Sequence, residues 1–222
     1  MALRRFTVVL IAVCTSLVTS YAPADGPGSY GAKRKTTDAE YLLSARDAYG
    51  RGYALIESAN RLDQDAAAAD NARIREAAST QARQKYEDAL HAFDEAARLE
   101  PDMYEAHTYV GYANRKLGRY DRALAAYATA LRVKPDYVQA IEYQGETYLG
   151  MNRFEQAKFN YLRLYAVDSV QAQKLLTAMR AWVEKRKRDS GGLAQEAVSA
   201  AEQWVAAQGS PKNPTGEHSD GW

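Results

Sequence analysis

Cysteine is almost absent from this sequence of 222 residues. The single one, Cys14, lies near the N-terminus, so the chain can form neither an internal disulfide nor a thiolate metal site. The charges nearly balance, with 29 Lys and Arg against 28 Asp and Glu, which gives no electrostatic reason to expect nucleic acid as a partner. With 46% hydrophobic and 26% charged residues, the composition excludes a disordered chain and a multi-pass membrane protein.

Catalytic and metal-binding motifs are absent as well. The chain has no nucleophile elbow, no phosphate-binding loop and no His-Glu-x-x-His sequence. Its three histidines, His91, His107 and His218, do not form a metal-ligand pattern. The sequence therefore predicts a protein that is not an enzyme and that needs neither a metal nor a cofactor.

One apolar run is present, and it follows a basic start. Arg4 and Arg5 precede the mostly apolar residues 6–18, and residues 22–24, Ala-Pro-Ala, fit the small-x-small cleavage pattern of a secretory signal. Residues 1–24 are therefore predicted to be a signal peptide. Its removal would leave 27 basic and 28 acidic residues, a net charge of −1. We expect an exported, periplasmic protein.

Two other interpretations of the N-terminus remain open. The apolar run is shorter than the roughly 20 residues of a membrane span, but it could still serve as an uncleaved anchor. Alternatively, Cys14 could carry a lipid. Lipoproteins usually have Gly or Ala before that cysteine, and here the preceding residue is Val13.

Residues 25–36 are rich in Gly, Pro and Lys and predict a flexible leader. An N-terminal helix and loop are predicted over residues 37–69. Thr37 and Glu40 form a capping box at the start of the helix, and apolar residues then recur every three or four positions as far as Leu62. The polar, alanine-rich residues that follow predict the loop.

An internal repeat is the strongest pattern in the chain. When residues 104–137 are placed above residues 138–171, glycine, alanine and aromatic residues fall into register. Several of these positions recur one period earlier. The matched sets are Gly111 with Gly145; Tyr86, Tyr120 and Phe154; Ala89, Ala123 and Ala157; and Phe93, Tyr127 and Tyr161.

These spacings resemble the tetratricopeptide repeat, a helix–turn–helix unit that stacks into a superhelix. The resemblance covers about residues 70–171, as one degenerate copy (70–103) and two clear ones. In the degenerate copy Ala77 stands in place of the glycine. Its second helix could pair instead with the helix that starts at Thr37.

Two further amphipathic patterns follow the repeats. They lie within residues 172–208 and are expected to cap the last repeat, whereas the Gly-, Pro- and Ser-rich residues 209–222 predict a disordered tail. The predicted fold class is therefore all-α: a short tetratricopeptide-repeat solenoid with a helical C-terminal cap.

The resemblance also implies where a partner binds, because the second, fifth, ninth, twelfth and thirteenth positions of each repeat face a concave groove in this family. In the two clear repeats these positions hold Glu105, Thr108, Tyr112, Arg115, Lys116, Gln139, Glu142, Glu146, Leu149 and Gly150. We expect a non-catalytic adaptor that binds a protein or peptide there, with Tyr112 as an aromatic anchor. By analogy with the family, it would serve in assembling cell-envelope complexes.

A run of four cations, Lys185, Arg186, Lys187 and Arg188, ends the first capping pattern. The simplest interpretation is a solvated helix end, where cations complement the carbonyl pole of the helix. The alternative is contact with anionic lipid headgroups or with an acidic partner. Two other functions also remain open: self-assembly of stacked solenoids, and binding of a small ligand or cell-wall fragment to the tyrosine-rich surface.

Overall fold

The computed structural model describes the backbone of residues 27–208 and the side chains of residues 40–208. This part of the chain forms eight α-helices and no strand: α1 Pro27–Ala68, α2 Ala72–Leu99, α3 Tyr104–Lys116, α4 Tyr120–Val133, α5 Val138–Gly150, α6 Phe154–Tyr165, α7 Ser169–Arg188 and α8 Gln195–Gln208. Two units are distinguished, Met1–Asp38 and Ala39–Trp222. Of the first, the structure describes only the beginning of α1, and apart from where that helix begins, all that follows concerns the second.

Three predictions fall outside the described residues: the signal peptide over 1–24, the lipid-bearing Cys14 and the disordered tail over 209–222. Among the helices that are described, none is both long and apolar enough to cross a membrane.

Helix α1 is longer at both ends than the sequence predicts. It begins at Pro27, inside the predicted leader, rather than at the capping box of Thr37. Proline suits a first helical position, since its missing N–H would have no partner there. The helix also continues to Ala68 through the predicted loop, where alanine has the highest helix propensity and Ala66 is buried.

Each clear copy of the sequence repeat forms one pair of helices. Helices α3 and α5 begin one full period apart, as do α4 and α6. Each pair is joined by a tight turn with a left-handed residue, Gly118 (φ 76°) in one and Asn152 (φ 58°) in the other, and these are the two residue types that adopt this conformation most readily. Helix α5 contacts both α3 and α7. The first helices of successive pairs therefore lie side by side, and we call their common surface, together with α1, the inner face.

A glycine against an aromatic ring sets the spacing of two helix pairs. A Cβ added to Gly111 of α3 would overlap the ring of Tyr127 in α4. A Cβ added to Gly52 of α1 would lie 2.8 Å from the ring of Phe93 in α2. Phe93 and Tyr127 occupy the same repeat position, so α1 acts as the first helix of the degenerate copy. Ala77, which the alignment puts in place of this glycine, is exposed.

The core between the helices consists largely of alanine in the N-terminal part and of larger residues in the C-terminal part. Ala59, Ala89, Ala113 and others are fully buried and let the helix axes approach closely. In the C-terminal part the core contains Leu164, Leu175, Met179, Trp182 and Val205, contributed by α6, α7 and α8. These last two helices cover the last repeat, which is what a capping unit must do.

The Gly52 contact can be tested against a second glycine in the same helix. We expect Gly52→Ala to lower the free energy of unfolding by about 1–3 kcal/mol, because the new methyl group would overlap the Phe93 ring. Gly50 has no atom within 4 Å of the corresponding position. Gly50→Ala should therefore raise the free energy by about 0.5–1 kcal/mol through helix propensity alone. Urea unfolding followed by circular dichroism measures both, and equal effects of the two substitutions would contradict the packing of α1 on α2.

Candidate functional site

Tyrosines from three helices form a continuous row on the inner face, which we call the aromatic belt: Tyr49 and Tyr53 of α1, Tyr109 and Tyr112 of α3, and Tyr143 of α5. Ring centroids are 5.5 Å apart between Tyr53 and Tyr109, 6.0 Å between Tyr109 and Tyr112, and 4.9 Å between Tyr112 and Tyr143. Tyr109 is buried, whereas Tyr53 is 39% exposed and Tyr112 and Tyr143 are half-buried. The belt is thus held in place by the buried ring of Tyr109, while its other rings are partly exposed to solvent.

The predicted groove residues Arg115 and Glu146 meet at the end of this belt. Arg115 Nη2 lies 2.7 Å from Glu146 Oε2, and the guanidinium lies over the rings of Tyr112 and Tyr143, at 4.9 and 5.7 Å from their centroids. Burial by itself lowers the pKa of Arg115, but Glu146 and the neighbouring tyrosines outweigh burial and raise it. The charges of Arg115 and Glu146, which lie in successive repeats, therefore neutralise each other within the protein. Neither group needs an ion pair with a bound partner.

The other predicted cation of this repeat, Lys116, is also paired, with a residue of α1. Lys116 Nζ lies 2.5 Å from Asp63 Oδ2, and Tyr86 Oη lies 2.7 Å from both Asp63 Oδ2 and Asn60 Oδ1. The Tyr112 hydroxyl donates to the same Asn60 oxygen at 2.8 Å. This network ties α1 to α2 and α3. The sequence analysis did not predict this network: Asp63 falls in the predicted loop, and no local pattern places Asn60 and Tyr86 beside it.

Three residues predicted to face the groove are buried in the structure. Thr108 is fully buried, and its hydroxyl donates to the Tyr104 carbonyl at 2.8 Å. Leu149 belongs to the C-terminal core, and Glu142 is only 5% exposed. Glu142 and Leu149 are covered because α5 is flanked closely by α3 and α7. Thr108 lies on α3, which packs against α2, α4 and α5.

The remaining predicted groove residues lie on the inner face with partial exposure. Glu105 and Gln139, at the starts of α3 and α5, are half-buried, and Gln139 accepts a hydrogen bond from the Tyr137 hydroxyl. Gly150 is exposed at the end of α5. The predicted groove positions therefore do not form a row of exposed charges, and the aromatic belt is the main solvent-accessible feature of the inner face.

The four basic residues at the end of α7 do not all contact the same neighbours. Lys187 pairs with Glu184 and Glu202, at 3.3 and 2.7 Å, and Arg188 Nε donates to the Glu184 carbonyl. Lys185 and Arg186 instead line a pocket that also contains Arg115 and Glu146. The structure therefore places two of the four cations, Lys185 and Arg186, next to the predicted groove residues Arg115 and Glu146. The sequence analysis treats the basic run and the groove as separate sites.

No cluster of three or more His, Cys, Asp or Glu side chains suited to a metal ion occurs among the described residues. His107 Nε2 lies 2.7 Å from the Pro101 carbonyl oxygen, and His91 is exposed.

The buried carboxyl of Glu142 should give stability a recognisable pH dependence. Burial and the nearby Glu146 raise its pKa from 4.5 to about 7, against the opposing effect of Arg115 and Lys174. Between these values the folded state binds more protons than the unfolded state, so stability falls as the pH rises from 5 to 8. The loss should be on the order of 3 kcal/mol.

Glu142→Gln removes this titration and should flatten the pH dependence while raising stability at pH 8. Urea unfolding at several pH values between 5 and 8 makes the comparison. If the natural protein and the variant lose the same stability over this range, Glu142 does not titrate as the geometry indicates.

One family model matches the chain: residues 74–138 match the tetratricopeptide repeat. The matched segment contains most of α2 together with α3 and α4. It therefore includes the second helix of the degenerate copy, α2, whose first helix is α1. No curated protein matches the sequence. Repeats of this family are generally non-catalytic modules of protein–protein interaction. The match, the period of the sequence and the stacked helix pairs lead to one conclusion: residues 74–138 are tetratricopeptide repeats, and they lie within an all-α solenoid of stacked helix pairs.

Proposed function

We propose that this protein is a scaffold that binds an extended segment of a protein partner along the inner face. The observation that carries the proposal is the aromatic belt, whose partly exposed rings are held in fixed positions by buried neighbours. Tyrosine and arginine are the residue types that most often dominate binding energy at protein interfaces. Because the rings are already ordered, little side-chain entropy is lost when a partner covers them.

The ion pair between Arg115 and Glu146 adds polarity to the belt. Its two charges are largely buried, with 18% and 25% of their side chains exposed. A partner that covers the pair would strengthen it by excluding water, provided that no unpaired charge is placed against it. The pair therefore discriminates between partners by orientation more than by net charge.

The belt is tested by Tyr53→Ala with Ile74→Ala as its control. Tyr53 is 39% exposed in the belt, and Ile74 is 62% exposed near the start of α2, which belongs neither to the inner face nor to the α6–α7 turn. We expect Tyr53→Ala to weaken capture of the partner by about tenfold or more, as for an interface anchor. The measurement is quantitative in-cell crosslinking with the natural chain and each variant. Equal capture by both variants would show that the belt is not the binding surface.

We further propose that the protein is exported and that it assembles with a cell-envelope complex. Support comes from the basic start, the apolar residues 6–18 and the small residues 22–24. Mass spectrometry of the protein recovered from fractionated cells provides the test. A mature N-terminus at Asp25 is expected. A chain that keeps residues 1–24 would contradict cleavage, and a lipid on Cys14 would indicate a lipoprotein.

Self-association is a second candidate function, favoured by exposed apolar side chains around the turn between α6 and α7. Phe159, Leu162, Val167 and Val170 are 49–66% exposed. Isolated exposed apolar residues are ordinary, but several along a single stretch of chain indicate a contact surface. Sedimentation of the natural chain over a range of concentrations decides the matter, since a mass that stays monomeric throughout would exclude this candidate.

A further inference from the structure

A pocket on the inner face lies where α3, α5 and α7 meet. Its charged lining consists of Arg115 from α3, Glu146 from α5, and Lys185 and Arg186 from α7. Trp182 and Leu149 contribute apolar surface. Arg115 belongs to both the pocket and the aromatic belt: it lines the pocket, and its guanidinium lies over the rings of Tyr112 and Tyr143.

Hydrogen-bond donors outnumber acceptors in this pocket. Its three cations face one carboxylate, and that carboxylate is already paired with Arg115. Within the described residues, Lys185 forms no ion pair, and the buried Nε group of Arg186 has no acceptor. The buried Nε1–H of Trp182, itself only 7% exposed, also has none. Buried polar groups are nearly always satisfied, so the missing component is an acceptor, and the excess positive charge favours an anionic one.

The turn after α7 positions one of these cations. Arg186 Nη1 donates to the Asp189 carbonyl at 3.2 Å, and a Cβ added to Gly191 would overlap that nitrogen. Gly191 has φ 61°, and its carbonyl accepts from Asn152 Nδ2 at 3.3 Å. The α7–α8 turn therefore leaves room for the Arg186 guanidinium and is held by the preceding repeat. The pocket is a built feature, not a free helix end.

We propose that this pocket binds a carboxylate side chain, from Asp or Glu, of the segment that lies along the aromatic belt. This inference rests on the proposed function and names the chemistry of the partner. Arg115 is common to belt and pocket, so a segment that crosses Tyr112 and Tyr143 leads directly to Lys185 and Arg186. A carboxylate there would accept from the Lys185 ammonium and the Arg186 guanidinium, both charge-assisted bonds. Trp182 and Leu149 would contact the methylene groups that carry it.

A random peptide library, selected on the full chain, provides the probe. We expect peptides enriched in aromatic or apolar residues and carrying Asp or Glu at one fixed position. The pocket variant is Lys185→Gln with Arg186→Gln. It should lose the preference at that position, and it should bind the best acidic peptide about tenfold more weakly, since charged hydrogen bonds are removed.

The matched control is Lys187→Gln with Arg188→Gln, which removes the same charge from the adjacent turn of α7, outside the pocket. The control should keep the acidic preference and the affinity. Thermal unfolding of both variants reports any loss of folding. A peptide in which the acidic residue is replaced by its amide, Asn or Gln, should bind the natural chain and the pocket variant equally.

The outcomes separate the two proposals. If the chain selects no peptides at all, the groove does not bind extended segments, and the proposed function fails together with this inference. If peptides are selected without an acidic preference, or if the pocket variant and the control behave alike, the pocket proposal alone is overturned. Binding of the natural chain to vesicles of anionic lipid, without any acidic preference among the selected peptides, would assign these cations to a membrane surface instead.

Discussion

The close approach of helices at three glycines is the constraint on which the rest of this structure depends. Gly52 admits the ring of Phe93, Gly111 admits the ring of Tyr127, and Gly145 admits the side chain of Leu175, whose nearest atom would lie 2.6 Å from an added Cβ. The first two contacts join the helices of one pair. The third joins α5 to α7 of the next unit. The same repeat position therefore brings in a different neighbour at the C-terminal end, and this change accounts for the burial of Glu142 and Leu149 and for the pocket beside α7.

Because α7 lies so close to α5, residues that a more open solenoid would present to a partner are covered. Glu142 and Leu149 become buried, and Lys185 and Arg186 at the end of α7 reach the pocket that contains Arg115. Burying a carboxyl such as Glu142 has a free-energy cost, which is lowered when the group stays protonated. The tight stacking thus accounts both for the raised pKa of Glu142 and for the excess of cations nearby.

The sequence predicts what is local and periodic. The all-α class and the helix pairs α3–α4 and α5–α6 follow from spacing within a single repeat. The role of Gly52 does not, because a much longer stretch of chain separates it from Phe93 than separates Gly111 from Tyr127. The extra length lies in α1 and the start of α2, and an alignment at a fixed period passes over it and selects Ala77. Likewise, no local pattern can show that Arg115, in a repeat, and Lys185, in the capping helix α7, line one pocket.

The pairing of charges determines what the inner face could offer to the partner proposed above. Arg115 with Glu146 and Lys116 with Asp63 are satisfied within the protein, so they hold helices together and contribute little attraction for a partner. For the proposed partner this leaves two means of binding: the fixed aromatic rings, which would supply contact area, and the pocket cations that form no ion pair among the described residues, Lys185 and Arg186, which would orient the segment. Because Arg115 contacts the rings and also lines the pocket, a segment bound to the belt would lead into the pocket.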